Sequence, residues 1–343
     1  MSRQPASRPE AADLPLGYAA LALPPILVFL LSELVLAVLA HNSVGFSEQA
    51  LAHAPFSDPG EAASRLKMLG MAFLVLVSSV GVIYKFVSDM RTYFAGSDRR
   101  PLYLAYGMVV AVGVIFLALS YSRTSFAELL RSPKLRLGGA LFDRALQGLN
   151  PGHSLWGEQT YHPLVNTTHF AVLLAIAAFV AGAISCLARL PGPSEEDNWK
   201  FQSERLKLYL FLSAAFLAVS VLYFKSWADY PAFLLTGSEL SAYASLSSAY
   251  TSFIGIEYSL MLAALALPIT YLQAQRADAI AMRIVQKSRG RSREPASTLK
   301  AQLSAVKQKE GLELSLADVV KVVLAIIGPF MTGALTNLAS AVG

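Results

Sequence analysis

Six stretches of this chain are apolar for long enough to cross a lipid bilayer, and that limits the fold more than any other feature. A helix needs about 20 mostly apolar residues to span a hydrocarbon core of about 30 Å. The stretches are 17–40, 68–87, 102–121, 168–190, 207–227 and, as the apolar part of a longer run, 253–273. In lipid the backbone has no water to bond to, and a helix satisfies its own N–H and C=O groups. The expected fold is an all-α, polytopic transmembrane helical bundle of six or seven spanning helices with a short cytoplasmic helical extension. The first stretch ends in Val38, Leu39 and Ala40, which resemble a signal-peptide cleavage site. Its apolar part is too long for a signal peptide, and Glu10 and Asp13 dilute the flank of Arg3 and Arg8, so it reads as a mature helix.

Only 15% of the residues are charged and 55% are hydrophobic, with a mean hydropathy of +0.49. Soluble domains average about 25% charged residues. The net charge of +5 and pI of about 9.2 would suggest a nucleic-acid partner in a soluble protein. Here Lys and Arg sit mainly beside apolar runs, where topology and lipid headgroups account for them, so no nucleic-acid partner is expected. Alternate connections carry Lys85, Arg91, Arg99 and Arg100, then Arg189, Lys200, Arg205 and Lys207, then a dense basic tail. The positive-inside rule puts these and the N-terminus in the cytoplasm, in a multi-pass protein of the plasma (inner) membrane. The connection 122–167 runs against the rule with Arg123, Arg131, Lys134, Arg136 and Arg144. At about 45 residues it is long enough for charge bias to lose authority.

Along the chain we expect a cytoplasmic tail (1–16), a six-helix transmembrane domain (17–273), a basic cytoplasmic helical region (274–314) and an apolar C-terminal helix (315–343). Asp58, Pro59 and Gly60 read as a turn in the external connection 41–67. The external connection 122–167 should hold short helices at 126–130 and 141–149. Its second half, with His153, Trp156, Tyr161 and His162, reads as an aromatic interfacial segment. The Pro-rich, acidic stretch 191–196 divides the domain into two three-helix halves, as inverted-repeat transporters do. No residue-level echo supports a repeat, since Glu33 in the first span has no counterpart in the fourth. After residue 273 the helix continues to a Gly- and Arg-rich hinge at 288–295. A second helix starts at Ser297, with Leu299, Leu303 and Val306 at helical spacing, and ends at Gly311. The last segment starts with a capping-box-like Ser315 to Asp318, is interrupted by Pro329, and lacks the charged face of an interfacial helix. It is expected to be buried, across the membrane or in a protein contact.

Ionisable residues inside apolar runs are costly, at roughly 2.5–3.5 kcal/mol at mid-helix. Glu33 lies 16 residues after Gly17 and Glu257 lies 16 residues before Gln273. Their spans run in opposite directions, so both acids fall about 24 Å from the cytoplasmic end, in the outer leaflet. The first span carries eight leucines. At about −0.3 to −0.6 kcal/mol each, these can carry one acid into the membrane unaided. Tyr243, Ser247, Tyr250 and Glu257 form a polar stripe on the sixth span. Arg123, His169 and Lys225 are candidate partners at the outer ends of other spans. Two readings compete. Glu33, Glu257, Tyr250, His169, Lys225 and Arg123 line an ion or proton path, or the acids are structural hydrogen-bonding groups.

Gly255, Ser259 and Ala263 repeat every fourth residue on the sixth span, on a face about 200° from Glu257. Ala178, Gly182 and Cys186 repeat likewise on the fourth, and both sets are helix-packing signatures. Arg283, Lys287, Arg289, Arg291 and Arg293 could bind anionic lipid or a partner. His153, Glu158 and His162 match no established metal spacing, and one cysteine can form neither an intrachain disulfide nor a Cys-based zinc site. No catalytic motif, cofactor site or metal site is present in the sequence. The features favour a non-catalytic integral membrane subunit of a homo-oligomeric or multi-protein assembly, acting as anchor, sensor or membrane arm. A channel, pore or proton- or cation-coupled carrier using Glu33 and Glu257 is the alternative, and an intramembrane enzyme the third.

Overall fold

The computed structural model describes residues 12–39, 58–95, 97–121, 139–147, 158–289, 296–312 and 323–335. A 3-10 turn, Leu16–Ala22, leads into α1, Leu23–Leu39. It is followed by α2 (Asp58–Tyr93), α3 (Arg100–Tyr121), the short α4 (Gly139–Gln147) and α5 (Glu158–Ser185). Then come α6 (Glu195–Asp229), a 3-10 turn at Tyr230–Leu234, α7 (Gly237–Arg289) and α8 (Ala296–Lys309). A last apolar helix, α9, covers Val323–Leu335. Six of these, α1 with its lead, α2, α3, α5, α6 and α7, are long and apolar enough to cross a membrane. The chain is an all-α polytopic membrane protein.

Local chemistry explains several boundaries. Pro24 and Pro25 lie in the first turn of α1, where a missing N–H costs nothing, so they mark the change from 3-10 to α rather than a mid-helix kink. Ser194 caps α6 by accepting from the Asp197 N–H at 3.1 Å, with Glu195, Glu196 and Asp197 in the first turn. The chain leaves α8 through a Schellman motif. Leu312 N bonds to Lys307 O at 2.8 Å and Gly311 N to Gln308 O at 3.3 Å, with Gly311 at φ +63°.

Helices extend further than the apolar runs. α2 begins at Asp58, so Asp58, Pro59 and Gly60 open a helix instead of forming a turn: Pro near a helix start is preorganised for it. α5 begins at Glu158, so Tyr161 and His162 lie on its first turns and not in an interfacial loop. The connection between the apolar stretches 207–227 and 253–273 is almost wholly helical. α4 occupies most of the helix expected at 141–149, whereas 126–130 lies outside the described residues.

The connections sort onto two sides. Asp13 and Arg189 form a backbone bridge, with N···O distances of 3.0 and 2.9 Å, and Ala12 N bonds to Ser97 Oγ at 2.8 Å. The N-terminal segment therefore sits with the α2–α3 and α5–α6 connections, on what we term the N-terminal side. On the far side, Tyr230 OH reaches Glu61 Oε1 at 3.1 Å. Phe142 of α4 stacks near Tyr161, Trp227 and Tyr230 there.

α5 is the central helix. Every side chain from position 177 to 188 is buried, which explains its run of small residues. α2 packs on both α5 and α6, and α1 packs on α7, so the two supposed halves interleave. Phe73 and Val80 of α2 and Leu267 of α7 point outward, as lipid-facing side chains do. α8 folds back on α7 over a small core of Trp199, Ala277, Ile280, Ala281 and Leu312. The α9 helix runs antiparallel along α7: Pro329 lies against Gly255 and Gly333 against Thr251. It is thus buried on one face against the spanning part of α7, with Leu324 and Leu335 exposed on the other.

Candidate functional site

Glu33 and Glu257 line one cavity of about 210 Å³, together with His169. Three helices supply them: α1, α7 and α5. Both acids are buried, at 5% and 1% exposure. The matched depth of the two acids thus corresponds to a shared chamber. Its other walls are largely apolar and aromatic, with Phe29, Phe116, Phe224, Trp227 and Tyr258 among them. Trp227 is held by its indole N–H, which donates to Tyr161 OH at 2.7 Å. His169 meets the Tyr223 ring edge-on at 6.3 Å. A smaller apolar pocket of about 70 Å³ adjoins it, lined by Pro25, Ile26 and Val109 and sharing Phe29, Ile176 and Met261 with the main cavity.

Other residues expected on the path lie elsewhere. Lys225 donates to Asp229 Oδ1 at 2.8 Å and to Ser247 Oγ at 3.3 Å, and Ser247 also donates to Asp229 Oδ1 at 2.7 Å. With Asp229 four residues on, Lys225 is served by its own helix, and it does not line the cavity. Tyr250 is buried but does not line it either. Tyr243, the start of the polar stripe, donates to Ala228 O at 2.5 Å. The stripe therefore serves mainly to bind α7 to α6. Arg123 lies outside the described residues.

The packing faces resolve into specific contacts. A Cβ on Gly182 would collide with the ring of Tyr209, and one on Gly255 would lie 2.7 Å from Pro329 O. Ser259 Oγ accepts from Phe330 N at 3.1 Å. Ala178 and Cys186 are fully buried, whereas Ala263 is only half-buried. In the basic region, Arg283 pairs with Glu195 and Lys307 with Asp278. Lys287 is exposed, and Arg291 and Arg293 fall outside the described residues. Of Arg289, only the backbone, at the end of α7, is described.

A second polar centre escaped sequence reasoning. Near the N-terminal side, Asp89 of α2 accepts from Lys85 at 2.5 Å, Arg205 Nη2 at 2.9 Å and Tyr209 OH at 2.9 Å. Arg205 also donates to Gln202 Oε1 at 2.7 Å and Ser185 Oγ at 3.1 Å, and its guanidinium lies over the Tyr93 ring at 4.7 Å. Gln202 donates onward to Ala188 O at 3.2 Å and Gln273 to Cys186 O at 3.4 Å, so the non-helical end of α5 is bonded from α6 and α7. Lys85 and Arg205 read as ordinary flanking cations in the sequence, yet Arg205 is 5% exposed. The available signal was Asp89, an acid four residues after Lys85 at the end of an apolar run.

Among the described residues, no group of three His, Cys, Asp or Glu side chains is placed to hold a metal ion. Comparison with protein-family profiles, with curated proteins and with solved structures found no match.

Proposed function

We propose that this protein takes up a cationic solute or a proton in the Glu33–His169–Glu257 cavity and moves it across the membrane. The observation that carries this reading is the convergence of two buried carboxyl groups and an imidazole from three different helices on one chamber. Ionisable groups in a membrane interior that face a cavity mark ion, proton or substrate pathways. In the low-dielectric surroundings, a carboxylate attracts a cation far more strongly than it would in water. The small-residue faces on α5 and α7 call for no partner subunit, because Tyr209 and α9 of the same chain fill them.

In this reading the protein sits in the plasma (inner) membrane with its N-terminal side in the cytoplasm. Arg91, Arg99, Arg100, Arg189, Lys200 and Arg276 gather on that side, in keeping with the positive-inside rule. The acids then open toward the outer leaflet. The test is flux in proteoliposomes, read with an entrapped pH dye under an imposed cation gradient. Glu257→Gln should abolish the signal while the protein stays folded and inserted. Wild-type flux in that variant would overturn the proposal.

A second reading, a non-catalytic subunit of a larger assembly, draws support from the platform formed by α8 and the end of α7. It stands on its own small core and leaves Lys287 exposed. Pull-down of a stable cytoplasmic partner that is lost when 290–312 is removed would favour it.

A further inference from the structure

We propose that the Glu33–Glu257 cavity is built for a small amphiphilic organic ammonium ion, with an apolar tail that extends into the adjoining pocket beside Pro25. This rests on the cation reading above and specifies its ligand. Three features of the walls carry it.

First, the cavity is poor in oxygen. Among the described lining residues only Glu33, Glu257 and Tyr258 bear side-chain oxygens. Hard divalent cations demand about six or more oxygen ligands. An inorganic ion stripped of water here would be short of ligands, and no three-residue metal cluster lies among the described residues. An alkylammonium ion needs only a counter-charge, because its carbon substituents are satisfied by apolar contact.

Second, the walls carry the rings such a cation uses. Phe29, Phe116, Phe224, Trp227 and Tyr258 line the same chamber as the two acids. Aromatic faces attract ammonium groups through their quadrupole, most strongly where water is excluded, and aromatic cages are a recurring solution for quaternary ammonium ligands. Acids supply the charge and rings the selectivity for a diffuse cation over a compact hydrated one.

Third, the space is graded in polarity. The main cavity is about 210 Å³ and the adjoining pocket about 70 Å³, and they share Phe29, Ile176 and Met261. A cavity of about 150 Å³ suffices for benzene. The adjoining pocket has no ionisable side chain in its lining, being walled by residues such as Pro25, Ile26, Val109 and Val180. A charged head and a short hydrocarbon or aryl tail match that gradient.

The test uses the full chain in nanodiscs of zwitterionic lipid and radiolabelled benzyltrimethylammonium, whose charge is independent of pH. Saturable binding at one site per chain is expected. Glu33→Gln and Glu257→Gln should each weaken it about tenfold or more, as loss of a charge-assisted contact does. Neopentylbenzene, the neutral isostere, should not compete. Val109→Phe, which fills the smaller pocket from a position outside the main cavity, should weaken benzyltrimethylammonium and spare tetramethylammonium. That variant keeps both acids, so it tests the tail assignment even if a carboxyl variant misfolds. Absence of saturable binding, or equal competition by neopentylbenzene, would sink the inference. If binding is absent while proteoliposome flux persists, the organic ligand fails and the cation reading survives. If binding is present without flux, the site stands and the transport reading falls.

Discussion

The ring of Tyr209 occupies the space that a side chain on Gly182 would need, and its hydroxyl passes beyond to donate to Asp89 at 2.9 Å. One missing Cβ on α5 therefore lets a residue of α6 reach a carboxylate of α2. Ser185, one turn along from Gly182, donates to Gly182 O at 2.6 Å and accepts from Arg205 at 3.1 Å. The small-residue motif and the buried ion pair are parts of one joint. Close approach in membranes depends on such small residues, because lipid offers no hydrophobic force to push helices together.

Gly182→Ala should lower stability by about 1–3 kcal/mol, the usual cost of overpacking a tight contact. Tyr209→Phe, which keeps the ring and loses the donor, should cost about 1 kcal/mol. Thermal unfolding of the purified protein in detergent measures both. A Gly182→Ala variant as stable as wild type would show that the ring can move aside freely.

Arg205 and Asp89 should behave as a coupled pair. Removing Asp89 strands the buried Arg205 guanidinium, at a cost of about 3–5 kcal/mol, whereas removing Arg205 leaves Asp89 paired with Lys85 and Tyr209. Asp89→Leu should be strongly destabilising and Arg205→Met less so, and the double variant should cost less than the two single costs added together. A double-mutant cycle in mixed micelles gives the coupling directly. Strict additivity would mean that the two groups are each solvated independently, contrary to their burial.

How much of this was legible beforehand follows from where the information resides. The spans were readable because each is decided locally, by some 20 residues exchanging water for lipid. Glu33 and Glu257 stood out because an acid in an apolar run breaks a strong pattern, and counting along antiparallel helices placed them at one depth. His169 was named with them on depth alone, as Lys225 was; which of the two faces the acids could not be read, because rotation about each helix axis is set by packing against neighbours. Lys225 was assigned to the cavity on depth alone, and Asp229 four residues away in the same helix claims it. Asp89 and Arg205 were hidden for the opposite reason. Charges at a span's end are ordinary, and nothing local distinguishes a buried pair from two solvated flanks. The face formed by Gly255 and Ser259 was visible as a packing signature, but its occupant, α9, lies some 70 residues further along the chain.

That occupant can be checked. Cysteines at Ser259 and Phe330, introduced with Cys186→Ala, should cross-link on oxidation, because the two residues already share a hydrogen bond of 3.1 Å. Adding Gly255→Leu should sharply reduce the yield, since a Cβ there would lie 2.7 Å from Pro329 O, a backbone atom that cannot rotate away. Undiminished cross-linking in the Leu variant would mean that α9 is held elsewhere.

The sidedness of the fold makes the last prediction. Ser97 and Arg189 are tied to the N-terminal segment by backbone and side-chain hydrogen bonds, whereas Lys67 lies near Asp229 at the far end of the bundle. Single cysteines at 97 and 189 should therefore be labelled by a membrane-impermeant maleimide from one side of sealed vesicles, and a cysteine at 67 from the other. Cys186 is fully buried and should stay unlabelled in the wild type. If the basic connections obey the positive-inside rule, labelling of intact cells reaches 67 and spares 97 and 189. The reverse pattern would leave the helix packing intact but turn the acid-lined chamber toward the cytoplasm, and uptake from outside would then have to begin at the end of the bundle that holds the Asp89–Arg205 pair.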